Sequence, residues 1–107
     1  MRDVMILTDR SNLAANLVRG ETAPLGVRLP AETLPDGDGG ARLPLRVNLR
    51  VLSGTAFAMW ILRKIRSIPG NHRIEINGRT MPLHMPEAID IIADELVNAR
   101  RPVILAA

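Results

Sequence analysis

Cysteine is absent from the 107 residues, and with it go disulfides, thiolate metal sites and a cysteine nucleophile. Tyrosine is absent as well, and the aromatics reduce to Phe57 and Trp60. A core must therefore be built from Leu, Ile, Val and Ala, ordered by their branched side chains. No apolar run approaches the ~20 residues of a membrane span; the longest, Ala56 to Leu62, falls well short. Met1-Arg2-Asp3 does not open a secretory leader. These absences lead to the expectation of a cytoplasmic protein with no membrane partner, no cofactor and no metal. Histidine is confined to positions 72 and 84, and Lys64 stands alone against thirteen arginines.

A length of 107 residues with 47% apolar side chains suits one domain that closes a single core without metal or disulfide. Charge is spread unevenly along it. Residues 42 to 79 carry seven Arg and one Lys against the single acid Glu75, while residues 1 to 41 and 80 to 107 each hold an excess of two acids. The net charge of +3 thus hides a basic middle. Arginine's planar fork suits phosphate and carboxylate better than an ammonium does. A GC-rich coding bias explains the ratio of Arg to Lys but not the clustering.

Val4 to Leu7 reads as a buried strand feeding a helix over 12–19, capped by Asp9 or Ser11 and stopped at Gly20. Pro24, Pro30 and Pro35 interrupt the stretch after Gly20; Val27 to Leu29 suits an edge strand, and Asp36 to Gly40 a flexible hinge. Asp36-Gly37-Asp38-Gly39 opens like a calcium loop. Ala41 and Val47, however, stand where the sharp-turn Gly and the closing Glu belong. Leu43, Leu45, Val47, Leu49 and Val51 then alternate with Arg42, Pro44, Arg46, Asn48 and Arg50, the period of a strand with one wet face. Three arginines project from that face.

Ser53 and Thr55 suit the cap of a helix whose buried arc is Phe57, Ala58, Ile61, Leu62, Ile65 and Ile68, ended by Pro69-Gly70. Arg63, Lys64 and Arg66 fall opposite, with an exposed Trp60 beside Lys64. Asn77-Gly78 writes a two-residue hairpin with Ile74, Ile76 and Met81 inward. Pro86 opens a helix over 86–100 that buries Ile89, Ile92, Ala93, Leu96 and Val97. Pro102 to Ala106 reads as a last strand. The expected fold is α/β of the α+β kind, an open-faced sheet with helices on one side. It comprises an N-terminal β-α arm over 1–35, a Gly/Asp-rich hinge over 36–41 and a β-α-β-β-α-β body over 42–107.

Nothing pairs His72 or His84 with a nucleophile by spacing, and both read as solvated loop side chains. Glu87, Asp90 and Asp94 share a helical face, but no further ligand completes a hard-cation set. Ser53-Gly54-Thr55 is an ordinary helix start rather than an anion cradle. The chain is therefore expected to be non-catalytic. The basic block is the stronger lead: Arg42, Arg46 and Arg50 on the strand, with Arg63, Lys64 and Arg66 on the helix, are the expected contacts to an anionic macromolecule, nucleic acid first. Whether they make one patch or two stays open. The rival is a protein-interaction or self-assembling domain, a homo-oligomer that joins the acidic face of Glu87, Asp90 and Asp94 to the basic strand. Trp60 and Met59 would serve it as anchors and a free strand edge as an added contact.

The β-α-β-β-α-β order over 42–107 resembles the ferredoxin-like fold, including the RNA recognition motif. Leu45-Arg46-Val47-Asn48-Leu49 is loosely similar to the first RNA-reading strand of that motif, without its aromatic. Arg73 to Leu96 is similar in layout to the histidine-containing phosphocarrier fold, with Ser53-Gly54-Thr55-Ala56 where the phosphorylated histidine belongs. That resemblance implies a degenerate regulatory domain that has lost the phosphoryl relay. Ala99 to Ala106 resembles a helix-to-strand junction of the middle domain of thiamine-diphosphate enzymes, with no accompanying cofactor motif. Together these resemblances imply a fold class and no family.

Overall fold

The computed structural model describes residues 2–10, 12–19, 22–35 and 40–98. In chain order it holds β1 (Arg2–Thr8), α1 (Leu13–Leu17), β2 (Val27–Arg28), β3 (Leu34–Pro35) and β4 (Ala41–Val47). Then come α2 (Gly54–Ser67), β5 (His72–Ile76), β6 (Arg79–Met81) and α3 (Ala88–Val97). Among the described residues every strand pairing is antiparallel, in the order β2-β4-β1-β5-β6 with β3 also beside β4. The described residues thus form a small α+β domain with an open six-stranded antiparallel sheet and three helices.

The segment expected as an arm supplies the centre of the sheet: β1 pairs with β4 on one edge and β5 on the other. Since both neighbours run against β1, they run parallel to each other, and α2 is the long crossover such a connection requires. The expected β-α-β-β-α order appears as β4-α2-β5-β6-α3, split by the N-terminal strand. The last expected strand, 102–106, lies outside the described residues, as do Ser11, Gly20 and most of the 36–41 hinge.

Alternation decides which face is buried. Val4, Ile6, Leu43, Leu45, Val47, Ile74, Ile76 and Met81 join one hydrophobic cluster with residues of all three helices, including Leu13, Leu17, Phe57, Ile61, Ile92 and Leu96. Among the described residues the helices therefore cover one face and leave the other open. Ser53 caps α2 by accepting the Ala56 N–H at 3.0 Å. Gly54 is buried where α2 meets α3; a Cβ there would lie 3.1 Å from the Ala93 carbonyl oxygen. The hairpin turn has positive φ at both Asn77 (55°) and Gly78 (78°), as a two-residue connection requires. Asn77 Nδ2 donates to Glu95 Oε2 at 3.0 Å, and Arg79 Nη1 stands 3.6 Å from Glu95 Oε1, tying the hairpin to α3.

Four local expectations are corrected. The strand expected to run to Val51 ends at Val47, because Asn48 takes over. Its side chain accepts the Arg50 N–H at 3.0 Å and its carbonyl accepts from Val51 and Leu52, a turn that competes with the sheet ladder. Helix α1 spans Leu13–Leu17 with no side-chain cap; Asp9 instead accepts the Asn71 N–H at 3.1 Å. Helix α3 begins at Ala88 rather than Pro86. Val97, at its last turn, is 60% exposed while Ala88 is buried in its place.

The ends of β1 and β5 are clasped. Asp9 N–H donates to Asn71 O at 3.2 Å, Asn71 N–H returns to the Asp9 carboxylate, and Arg10 Nε donates to Pro69 O at 3.0 Å. Gly70, at φ 126°, fits beneath: a Cβ would lie 2.6 Å from Asp9 Oδ1 and 2.9 Å from Arg10 Nε. Gly70→Ala should destabilise the fold by about 1–3 kcal/mol through this strained backbone and displaced clasp. Urea unfolding measures it, and an unchanged midpoint would refute the clasp.

Candidate functional site

The open face of the sheet follows from the register. On β4, Arg42, Pro44 and Arg46 point away from the core; on β1, Asp3, Met5 and Leu7; on β5, Arg73 and Glu75. Cross-strand partners share a face, so these side chains form rows. Leu34, Arg42, Leu7 and Arg73 make one; Pro44, Met5, Glu75 and Thr80 a second; Arg28, Arg46 and Asp3 a third. The result is an exposed surface with Arg28, Arg42, Arg46 and Arg73 around the half-buried Met5, Leu7 and Pro44, with Asp3 and Glu75 as its acids.

Arg46 Nε lies 3.5 Å from Asp3 Oδ1, with both side chains more than half exposed. A pair so open to water is worth little. On its other side Arg46 faces Arg28, and like charges directly opposite each other on a sheet are unfavourable. The domain thus tolerates a cationic concentration that its own carboxylates balance only in part.

The six expected contacts do not meet on one surface. Arg42 and Arg46 lie on the open face, whereas Arg50 sits in the 48–51 turn beyond the strand. Arg63, Lys64 and Arg66 belong to α2, in the helical layer behind the sheet. Arg66 is already occupied: its Nε and Nη2 both donate to Leu83 O, at 2.9 and 2.6 Å, fastening α2 to the segment before α3. Lys64 Nζ donates to Arg19 O at 3.1 Å. Arg28 and Arg73, which complete the open-face group, were missed as site residues. The alternation around Ile74 placed Arg73 outward, but only the pairing of β5 with β1 puts it near Arg42.

Trp60 corrects the expectation of an exposed anchor or stacking platform. It is 4% exposed, with its ring centroid 6.1 Å from that of Phe57. Helix α2 packs against α3 on one side and is tied to the end of α1 through Lys64 on the other, so its buried arc is wider than a single stripe. The indole Nε1 is buried without a hydrogen-bond partner. Glu87, Asp90 and Asp94 are exposed on α3, and among the described residues no three His, Asp or Glu side chains converge as metal ligands.

His72 is not a solvated loop side chain. It is half-buried opposite Thr8, with its Nδ1 2.8 Å from Thr8 Oγ1 and its Nε2 3.1 Å from Ile68 O. A carbonyl only accepts, so in the neutral ring Nε2 carries the proton and Nδ1 receives the threonine hydroxyl. Thr8 Oγ1 in turn accepts the Arg10 N–H at 3.0 Å. The geometry has the outline of a nucleophile and base, but the hydroxyl is only 6% exposed as a residue and its bonds serve the junction of β1 and β5. His84 is exposed.

No family model, curated protein or solved structure matches this chain. No helix among the described residues is long and apolar enough to cross a membrane.

Thr8→Val would leave His72 Nδ1 and the Arg10 N–H without this partner, for an expected loss of about 1–3 kcal/mol. Imidazole nitrogen shifts of the neutral wild-type ring should report a protonated Nε2 at His72. A ring protonated at Nδ1 instead would contradict the network.

Proposed function

We propose that the domain is a non-catalytic binding module for an anionic polymer, nucleic acid in the first place, and that it binds through the open face of its sheet. The observation that carries this reading is the grouping of Arg28, Arg42, Arg46 and Arg73 on one uncovered surface, with Arg28 directly opposite Arg46. An arrangement unfavourable by itself becomes favourable once phosphates lie between the guanidinium groups. With strands about 4.8 Å apart and residues about 3.4 Å apart, Arg42, Arg46 and Arg73 define a patch roughly 10 by 13 Å, the scale of a few backbone phosphates.

Base stacking is no part of this reading, because both aromatics of the chain, Phe57 and Trp60, are in the core. Contacts of guanidinium to phosphate alone bind with little regard to sequence and weaken as salt rises. Four phosphate contacts to a single strand correspond to a log–log salt slope of about −3. In Arg42→Gln/Arg73→Gln the slope should become shallower by about 1.4, with an unchanged melting temperature. Fluorescence anisotropy with a labelled single strand measures both, and a slope that the double variant leaves unaltered would defeat the assignment.

A second reading is self-association. Glu87, Asp90 and Asp94 are exposed in the helical layer while the arginines occupy the opposite face, so one copy's acids complement another's bases in a heterologous contact. A salt-sensitive oligomer that ignores DNA and RNA at low salt is the outcome that favours it.

A further inference from the structure

The Asn77-Gly78 turn combines a reactive sequence with a structural tie. Asn77 is the one asparagine of the chain followed by glycine; the others precede leucine, histidine or alanine. Asparagine is thermally labile, because the backbone nitrogen of the next residue can attack its side-chain carbonyl carbon. A side chain on that next residue obstructs the approach, and glycine has none. The space where a Gly78 Cβ would stand is open, with nothing within 4 Å, and both residues of the turn are exposed. The Asn77 amide also holds the hairpin to α3: Nδ2 donates to Glu95 Oε2 at 3.0 Å and to the Glu95 carbonyl oxygen at 3.4 Å. We propose that Asn77 is a site of spontaneous deamidation, and that its conversion to a carboxylate releases the tip of the β5–β6 hairpin from α3.

The step balances with water as its co-reactant. The Gly78 nitrogen gives up its proton and forms a bond to Asn77 Cγ; the bond from Cγ to Nδ2 breaks, and Nδ2 takes up a proton and leaves as ammonia. Water then opens the cyclic imide. Attack at the side-chain carbonyl gives aspartate, and attack at the backbone carbonyl gives isoaspartate, in which the main chain runs through Cβ.

Either product undoes the tie. A carboxylate accepts and does not donate, so the bond to Glu95 is lost. Like charges then face each other where a hydrogen bond of 3.0 Å stood. The Glu95 side chain is 15% exposed, so water screens the repulsion less than it would at an open surface. Arg79, with Nη1 3.6 Å from Glu95 Oε1, brings one positive charge against two carboxylates. Isoaspartate further lengthens a turn whose paired positive φ angles suit a connection of two ordinary residues. Ile76 and Met81 stay in the core cluster, so the loosening is local to the outer end of the hairpin and the fold persists.

The test incubates the full chain at mildly alkaline pH and follows it by peptide mass mapping. Asn77 should convert ahead of every other asparagine, giving aspartate and isoaspartate together. Asn77→Asp supplies the first product directly, and its amide hydrogen exchange in β6 should be about tenfold faster than in the wild type. Adding Glu95→Gln removes the like charge and restores a donor, so Asn77→Asp/Glu95→Gln should return exchange toward the wild-type rate. A side chain that merely fits poorly at position 77 would not be rescued in that way. The site is overturned if Asn77 stays intact while a synthetic peptide of residues 74–81 converts, or if another asparagine converts first. Exchange unchanged in Asn77→Asp, or not slowed by the added Glu95→Gln, would overturn the release.

Discussion

Both edges of β1 are hydrogen-bonded, along its whole length to β4 and from Met5 to Thr8 to β5, and the rest of the molecule is arranged around that fact. With side chains alternating every residue, a slip of one position would drive Arg42 and Asp3 toward the helices and turn Ile6 and Leu43 out to water. The inward set Val4, Ile6, Leu43, Leu45 and Ile74 is almost wholly buried, which makes the register strongly specified. The open face inherits its rows from the same register. Its arginines are neighbours because the buried residues beside them have to be.

The polar groups within the helical layer show the limits of an aliphatic core. Thr8 and His72 satisfy each other at the end of the central strands and pass their remaining bonds to Arg10 and Ile68. Trp60 does not achieve the same. Its indole N–H is buried unpaired, a cost on the order of 1–3 kcal/mol, set against the burial of a ring whose gain is comparable or larger. In a chain with two aromatics, packing Trp60 beside Phe57 outweighs satisfying one donor.

Cations act in two ways here. Behind the sheet, Arg10, Lys64 and Arg66 each bond a backbone carbonyl and join segments far apart in sequence, so they work as fasteners. On the open face, the cross-strand neighbours of Arg28, Arg42 and Arg73 are side chains of leucine or of another arginine. The same residue type thus supplies structure in one layer and an outward electrostatic field in the other. A basic middle in the sequence is not a basic patch in space.

Local elements were legible because local physics makes them. The alternation around Leu43 to Val47, the serine cap and apolar arc of α2, and the Asn77-Gly78 turn each need only neighbouring residues to be understood. The overrun of β4 to Val51 marks where that reasoning ends, since the side chain of Asn48 chose a turn over further pairing. Where β1 docks was not legible, because pairing joins it to strands 33–45 residues away on one side and 64–70 on the other, and no local pattern names the partner. By itself, the sequence determined the α+β composition, most element types and which side of each strand is wet. Only the tertiary structure decided that Arg28 and Arg73 join Arg42 and Arg46, that Arg63, Lys64 and Arg66 lie behind them, and that Trp60 is inside. Those outcomes depend on strand order and on a helix flanked on both sides, which are properties of the assembled chain.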